Sequence, residues 1–303
     1  MAGEVLVDVA GQRLRLSNLD KVLYPGDGFT KGDVIDYYSR VAPVLTPHLL
    51  DRPVTFRRFP DGVAKPGFFE KNAAGHAPDW LRTVTIETPG STTGAESLDF
   101  ALLCDLPALV WAANRAGLEL HVPQWTVGPR GGRRAPDRLV FDLDPGAPAT
   151  VVECCEVALA LRSALEADGL TAVAKTSGSK GMQLYAPVTT TSPDRTSNYA
   201  RALAERLEAD LPGLVVSRMA KKLRPGKVLI DWSQNNPHKT TVAPYSLRAR
   251  PLPTASTPLT WDEVTACRTP EDLVFTADDV LDRVAEHGDL FAPLLEKGPR
   301  LPR

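Results

Sequence analysis

Asp142, Asp144 and Asp231 are the side chains in this sequence best placed to hold a hard metal ion. The first two close an apolar run, Arg138-Leu139-Val140-Phe141-Asp142-Leu143-Asp144-Pro145. A strand rises about 3.3 Å per residue and alternates its faces, so both carboxylates point the same way with Cα atoms about 7 Å apart. Aligned carboxylates repel, and at the end of a buried strand the simplest compensation is a divalent cation such as Mg²⁺ or Mn²⁺. The plainer reading makes Asp144 the start of a turn at Pro145 and Asp142 a solvated strand end. Asp231 ends a second apolar run, Lys227-Val228-Leu229-Ile230-Asp231-Trp232, where an unpaired carboxylate is costly to bury. A metal shared with Asp142 and Asp144 would satisfy it.

A second group of residues is suited to phosphate. Between Ala172 and Tyr185 the pattern is strand, small turn, strand, with Ser177-Gly178-Ser179-Lys180-Gly181 at the turn. Two glycines let the backbone approach an anion, and hydroxyls and Lys180 supply donors and charge. A plain Gly-Ser hairpin competes with this reading, and no Gly-x-x-x-x-Gly-Lys-Ser/Thr loop occurs. The run Arg218 to Lys227 carries five cations and no acid, and Lys221 or Arg224 from it, or Arg248, could supply the remaining positive charge. A solvated loop competes with polyanion binding there. Paired carboxylates beside a phosphate turn match what two cations about 3.5–4 Å apart need in phosphoryl or nucleotidyl transfer. The residues alone lead to a metal-dependent enzyme acting on nucleotides.

The elements that must position these groups are legible in outline. Glu4 to Ser17 alternates around Gly11 as a hairpin, and Thr30 caps a helix carrying Val34, Tyr37, Tyr38 and Val41. Lys21 and Lys31 flank that helix start, where free N–H groups would favour an anion, although lysines there are ordinarily solvated. Pro53 to Phe59 reads as a strand with Arg57 and Arg58 on opposite faces. The loop Lys65 to Asn72 sets Phe68 and Phe69 among lysines, as a lid on the core or as a platform for bases. Leu118-Glu119-Leu120-His121-Val122 alternates and puts His121 opposite the leucines; a lone strand histidine is ordinarily a hydrogen-bonded core residue. The Gly-rich loop from Gly128 to Arg138 holds four arginines. Helices are predicted over Thr150 to Asp168, closed by Gly169, and over Asp194 to Asp210, capped from Ser192-Pro193. Arg250 to Pro258 has a linker's composition, the segment after it reads as short acidic helices, and the chain from Gly298 onward reads as frayed.

With 43% apolar and 24% charged residues among 303, the composition is that of an ordinary soluble globular protein of one large domain or two intimately packed modules. No run approaches the roughly 18 apolar residues of a membrane helix, and the start lacks a basic then apolar leader, which predicts a cytoplasmic protein. The net charge of -2 hides a division: Trp261 to Asp289 holds nine acids and two arginines, so the rest is basic. Cys104, Cys154, Cys155 and Cys267 lack metal-ligand spacing and read as small core residues.

Taken together and in order, the motifs resemble the polymerase domain of bacterial ligase D, within the archaeo-eukaryotic primase superfamily. The resemblance runs from Asn18-Leu19-Asp20-Lys21-Val22-Leu23-Tyr24-Pro25 through Phe68-Phe69-Glu70-Lys71-Asn72, His121-Val122-Pro123-Gln124-Trp125, Phe141-Asp142-Leu143-Asp144-Pro145 and Thr176-Ser177-Gly178-Ser179-Lys180-Gly181. It continues in Asp231-Trp232-Ser233-Gln234-Asn235 and Tyr245-Ser246-Leu247-Arg248. It implies an α+β fold, an α/β module packed on an RNA-recognition-like mixed sheet. A single domain over 1–303 is expected, with DNA-end contacts in about 1–130, catalysis in 131–250, and a linker with acidic helices in 251–303.

The resemblance also implies roles. Asp142, Asp144 and Asp231 hold two Mg²⁺ or Mn²⁺ ions. His121, Ser177, Lys180, Gln183, Lys221, Arg224, Gln234 and Arg248 hold a nucleoside triphosphate. Asn18, Lys21 and Lys31 take a 5′-phosphate at a gap or broken DNA end, and Phe68, Phe69 and Lys71 stack on or bridge DNA. The implied partners are an ATP-dependent DNA ligase and the Ku end-binding protein, at the bacterial nucleoid. The family has histidine where this chain has Gln183, an amide that can donate to phosphate but cannot become cationic. No Lys-x-Asp-Gly ligase motif is present, so nick sealing is expected from another protein or another part of the chain. A nuclease or phosphatase using the same carboxylates, and a DNA-end bridge with a weakened site, are the competing functions.

Overall fold

The computed structural model describes residues 3–73, 75, 77–88 and 96–302; His76 lies outside them. The chain opens with the expected hairpin, β1 (Glu4–Val9) and β2 (Gln12–Ser17), then a short pair, β3 (Val22–Tyr24) and β4 (Phe29–Thr30). Helix α1 (Lys31–Leu49) begins at Thr30, whose hydroxyl accepts the Asp33 amide while the Asp33 carboxylate accepts the Thr30 amide. After it come β5 (Pro53–Arg58), β6 (Phe68–Glu70), β7 (Thr83–Glu87), β8 (Ser97–Leu102), α2 (Leu106–Asn114) and β9 (Gly117–Val122). The second half begins with β10 (Arg138–Pro145), α3 (Val151–Ala167), β11 (Val173–Thr176), β12 (Met182–Pro187), α4 (Pro193–Asp210), β13 (Val215–Val216) and β14 (Val228–Asp231). Last are β15 (Thr241–Val242), β16 (Pro258–Leu259), α5 (Trp261–Ala266) and α6 (Ala277–His287).

Two six-stranded sheets organise these elements, as the α+β expectation requires. One runs β15-β9-β5-β8-β7 with β6 added on β5; the other runs β13-β14-β10-β12-β11-β16 and is mixed, because only β13 and β14 are parallel. Helices α1 and α2 cover the first sheet, with Val34, Tyr37, Tyr38 and Leu45 packed among Val54, Phe56, Leu118 and Leu120. Helices α3 and α4 cover one face of the second, where Leu139, Phe141 and Leu143 meet Cys154, Leu161 and Leu203. Each such fully buried side chain contributes about 1.5–3 kcal/mol. Odd-numbered residues of β10 therefore face the helices. Its even-numbered ones, Arg138, Val140, Asp142 and Asp144, share the opposite face, where Val140 packs with Tyr185, Phe291 and Leu294.

Several local expectations are revised. Phe68 and Phe69 stand on a strand, β6, paired with Arg58 and Arg57 of β5. Ser192 precedes α4 but its side chain makes no cap hydrogen bond; Pro193 in the first turn sets the start instead. The proline-rich stretch after Arg250 is no exposed tether: Ala255, Ser256 and Thr257 are buried, and Pro258–Leu259 adds β16 to the second sheet. Residues 298–302 are not frayed either, since Leu301 is buried and Arg300 bridges Thr189. Those segments have partners far away in sequence, which local composition cannot reveal.

Candidate active site

The register of the second sheet brings the carboxylates together. Asp142 in β10 lies directly opposite Asp231 in β14, and Asp144 follows two residues along on the same face. Asp142 Oδ1 accepts the Gln183 amide at 3.0 Å, from the paired position on β12. Asp231 is buried and held by its own chain: Oδ1 accepts the Ser233 amide at 3.0 Å and the Ser233 hydroxyl, and Oδ2 accepts Gln234 Nε2 at 2.9 Å. Lys239 Nζ stands 4.0 Å from Oδ2. Asp144 is exposed at the strand end.

Burial, then the charges of Asp144 and Asp231, push the Asp142 carboxyl up to about 7. Asp144, though its side chain reaches solvent, is raised too, by the protein crowded around its carboxyl and then by Asp231, with Arg224 opposing. Among the described residues, no three His, Cys, Asp or Glu side chains form a group already shaped around an ion. The donor set nevertheless fits a hard divalent cation, because three carboxylates on adjacent strand ends supply oxygen donors and repel one another, with Lys239 and Arg224 offsetting that repulsion only in part.

This repulsion makes a test. A carboxyl whose folded pKa is raised binds more protons folded than unfolded between about pH 4 and 7, so it costs stability as pH rises through that window. A shift of that size is worth at most about 4 kcal/mol, and sharing among three carboxylates brings the expected value to about 2 kcal/mol. In EDTA at pH 8, Asp142→Asn should therefore stabilise the protein by about 2 kcal/mol against urea, with no gain near pH 4. Equal stability of the two proteins at pH 8 would remove the repulsion from the account.

The phosphate turn packs against the same strand end. Thr176 pairs with Met182 across the turn, and Met182 pairs with Leu143; a Cβ on Gly181 would lie 2.0 Å from the Leu143 carbonyl oxygen, so only glycine fits. Ser177 Oγ accepts the amides of Ser179 and Gly181, both at 3.2 Å, so it shapes the turn and leaves fewer free donors than expected. Lys180 is exposed at the tip and lines a cavity of about 240 Å³ with Pro145 and Thr150. Arg248 Nη1 donates to the Ser177 carbonyl at 3.0 Å and its Nε stands 3.4 Å from Glu119 of β9, spanning the two sheets. In the basic run, Arg218 is tied to Glu208 at 2.9 Å and Arg224 donates to the Met219 carbonyl at 2.6 Å, while Lys221 is exposed. A Cβ on Gly146 would meet the Arg224 carbonyl oxygen at 2.1 Å, so this run packs on the end of β10.

Gln183 occupies a more enclosed place than a phosphate contact would need. Its Nε2 holds Asp142, and its Oε1 accepts Lys175 Nζ at 2.6 Å and the Tyr185 hydroxyl at 3.1 Å. Lys175 is fully buried, also donates to Ser256 Oγ at 2.6 Å, and has its pKa pushed well below the ordinary lysine value by burial and then Arg248. Sequence reading missed Lys175; the signal was a lysine inside the apolar run Ala172-Val173-Ala174-Lys175.

Glu119 was missed as well. It is buried on β9, two residues before His121 and so on the same face. It accepts from His121 Nε2 at 2.9 Å, Arg57 Nη1 at 3.2 Å and the Ala249 amide at 3.0 Å. Burial lowers the His121 pKa, against the pull of Glu119. Phe69 sets its ring edge-on to His121 at 5.9 Å, with Arg57 over it at 5.7 Å; Arg58 sits over Phe68 at 5.3 Å. Both phenylalanines are exposed, Phe69 at 62%. Lys71 lines a neighbouring cleft with Thr55 and Trp125.

Asn18, Lys21 and Lys31 gather at the start of α1, but the helix offers no free amides there. The Lys31 and Gly32 amides donate to the carbonyls of Lys21 and Leu19, both at 2.8 Å, and the Asp33 amide to Thr30 Oγ1 at 3.2 Å. An anion at this place must be held by side chains. Lys21 Nζ is 2.9 Å from Asp61, and Lys31 is buried, 3.4 Å from Ser17 Oγ, with its pKa lowered by burial and then by Lys21. The Asn18 backbone is left-handed, at φ +53°.

Residues 30–291 match the family described as LigD, primase-polymerase domain. The chain is 46% identical over 290 residues to a multifunctional non-homologous end joining protein LigD of Mycolicibacterium smegmatis, covering 95% of this chain and 37% of that protein. It is 33% identical over 282 residues to a bifunctional non-homologous end joining protein LigD of Bacillus subtilis, covering 91% and 43%. It therefore spans under half the length of these curated relatives. Its structure superposes with a TM-score of 0.88 and 43% identity on the polymerase domain of Mycobacterium tuberculosis ligase D in complex with DNA, covering 95% of this chain and 100% of that one.

Proposed function

The chain belongs to the family of LigD primase-polymerase domains, nucleotidyltransferases of non-homologous end joining, and from that premise we propose that it extends primer ends at DNA gaps and breaks under the direction of a template. The substrates would be ribo- or deoxynucleoside triphosphates and DNA carrying a 5′-phosphate. The observation that carries this reading is the register that sets Asp142 against Asp231 with Asp144 alongside, next to the Ser177 to Gly181 turn. We read residues 1–303 as one unit, with DNA-end contacts in about 1–130, catalysis in 131–250 and the acidic helices beyond. An ATP-dependent DNA ligase and Ku are the partners this reading calls for.

Asp142, Asp144 and Asp231 would hold two Mg²⁺ or Mn²⁺ ions, which when bound supply neutralisation of the triphosphate and activation of the primer 3′-hydroxyl. The chain's own part is placement. Lys180, Lys221, Arg224 and Arg248 would bring positive charge to the triphosphate, Gln234 and Gln183 hold Asp231 and Asp142 by hydrogen bonds, and His121 with Phe69 would contact the nucleotide from the first sheet. Exposed Phe68 and Phe69, each under an arginine, are suited to stacking on bases, at about 1–3 kcal/mol per base. The test is extension of a gapped duplex with labelled nucleotides in Mn²⁺. Shortening of the DNA instead of extension would favour a nuclease, and binding without either a bridging module.

Lys21→Ala and Lys31→Ala should each weaken binding to a gapped duplex bearing a 5′-phosphate by about fivefold to tenfold, and binding to the 5′-hydroxyl duplex by less than about twofold. Fluorescence anisotropy on the matched pair measures this. Equal loss on both duplexes would take the 5′-phosphate away from these lysines.

A further inference from the structure

A cavity with two enclosed arginines in its wall lies away from the carboxylates. Its volume is about 560 Å³, and it is enclosed by the end of α1 near Leu50, the start of β10, Thr189 after β12, and the tail around Leu294. Two arginines stand in its wall, Arg52 and Arg138, each with only 4% of its side chain exposed. Arg52 is partnered: Nη2 donates to Asp137 Oδ2 at 2.6 Å and Nη1 to the Pro123 carbonyl at 3.3 Å. Arg138 is not. Its Nε lies 3.4 Å from Asp137 Oδ1, and both atoms are buried without a hydrogen-bond partner.

One carboxylate therefore serves two enclosed guanidinium groups, and a positive charge is left over. Burying an arginine without a matched partner is costly, and its fork of donors suits an oxyanion bidentately. The other charged residues of the wall do not cancel the surplus. Asp51 is taken by Arg82 at 3.1 Å, exposed Glu296 is matched by exposed Lys297 beside it, and Arg134 at the rim is a further cation. Burial and then Arg52 lower the Arg138 pKa to about 10, so the group stays charged at neutral pH. The place is distinct from the candidate active site. Arg138 shares the face of Asp142 but precedes it by four residues, about 13 Å along the strand, with Val140, Tyr185, Phe291 and Leu294 packed on that face.

We propose that this cavity binds a small phosphate oxyanion, with Arg138 as its principal ligand and Arg52 and Arg134 supporting it. The depth of Arg138 excludes the backbone of duplex DNA and admits inorganic phosphate or the head of a phosphomonoester.

The experiment titrates the whole chain, in EDTA and at constant ionic strength, with inorganic phosphate and separately with adenosine 5′-monophosphate, by calorimetry. Lys21→Ala/Lys180→Ala provides a background with one lysine removed from each of the two other candidate phosphate sites, at the start of α1 and at the Ser177 to Gly181 turn. Saturable binding that persists in that background and weakens at least tenfold in Arg138→Gln is the expected result. Binding of phosphate itself identifies a free anion as the source, and binding of the monophosphate alone identifies an ester; both support the site. Should Arg138→Gln fail to fold, the exposed Arg134→Ala must weaken binding about threefold, and phosphate must shift the Arg138 Nε resonance in the parent. No saturable binding, unchanged binding in the arginine variants, or loss of binding in the lysine background overturns the proposal.

Discussion

Asp142→Ala and Asp231→Ala should each lower nucleotide addition on a gapped, 5′-phosphorylated duplex by at least about 10³-fold, with affinity for that duplex held within about twofold. The asymmetry follows from where the two aspartates stand. They face each other across adjacent strands and take no part in the lysine cluster at the start of α1 or in the exposed phenylalanines of β6. Removing Asp142 should also relieve repulsion among the carboxylates, so that variant should be at least as resistant to urea as the parent in EDTA, whereas Asp231→Ala should fold but give up the hydrogen bonds from Ser233 and Gln234. Single-turnover extension with Mn²⁺, read beside anisotropy for binding, separates the two effects. A variant that extends within tenfold of the parent would move catalysis elsewhere, whatever the family.

The second large effect is expected at Glu119, where Glu119→Ala should cost about 3–5 kcal/mol of stability. The carboxylate is buried among His121, Arg57, Arg248 and the Ala249 amide, and its removal leaves the largely enclosed Arg248 and the partly exposed Arg57 without their carboxylate partner. Burial alone would raise its pKa, but the His121 hydrogen bond and the Arg248 charge overcome that and bring it down to about 2. A carboxyl with a depressed folded pKa stabilises above its unfolded value and loses that contribution as pH falls through the folded one. Urea unfolding of the parent should therefore show this contribution intact above about pH 5 and fading toward pH 2, and Glu119→Ala should lack that limb. A cost below about 1 kcal/mol would mean the arginines find other partners.

How much could be read in advance differs from residue to residue. Asp142 and Asp144 were legible because a two-residue spacing on an apolar run fixes their common face. Asp231 was legible as a strand end, but its position opposite Asp142 depends on a register between strands more than eighty residues apart, which no local pattern encodes. Glu119 shares a face with His121 by the same alternation that was used for His121, so parity alone could have nominated it. Lys175 could have been nominated as a charged residue in a buried strand, though its bond to Ser256 could not, since the Pro-rich composition around Ser256 resembles a tether. Local propensity also placed the start of α1 correctly and still misjudged its chemistry, because the amides it would offer to an anion are used by Lys21, Leu19 and Thr30.

The stretch from Arg248 to Leu259 reaches the Ser177 carbonyl at one end, gives Lys175 its hydroxyl partner in the middle, and closes the β11 edge of the second sheet at the other. Truncating the chain ahead of Ser256 to obtain a smaller polymerase would strip an ammonium of its neighbour and bare a row of backbone donors and acceptors at once. The smallest fragment able to work must therefore carry sequence from well past its last carboxylate, and fusion points belong beyond α6.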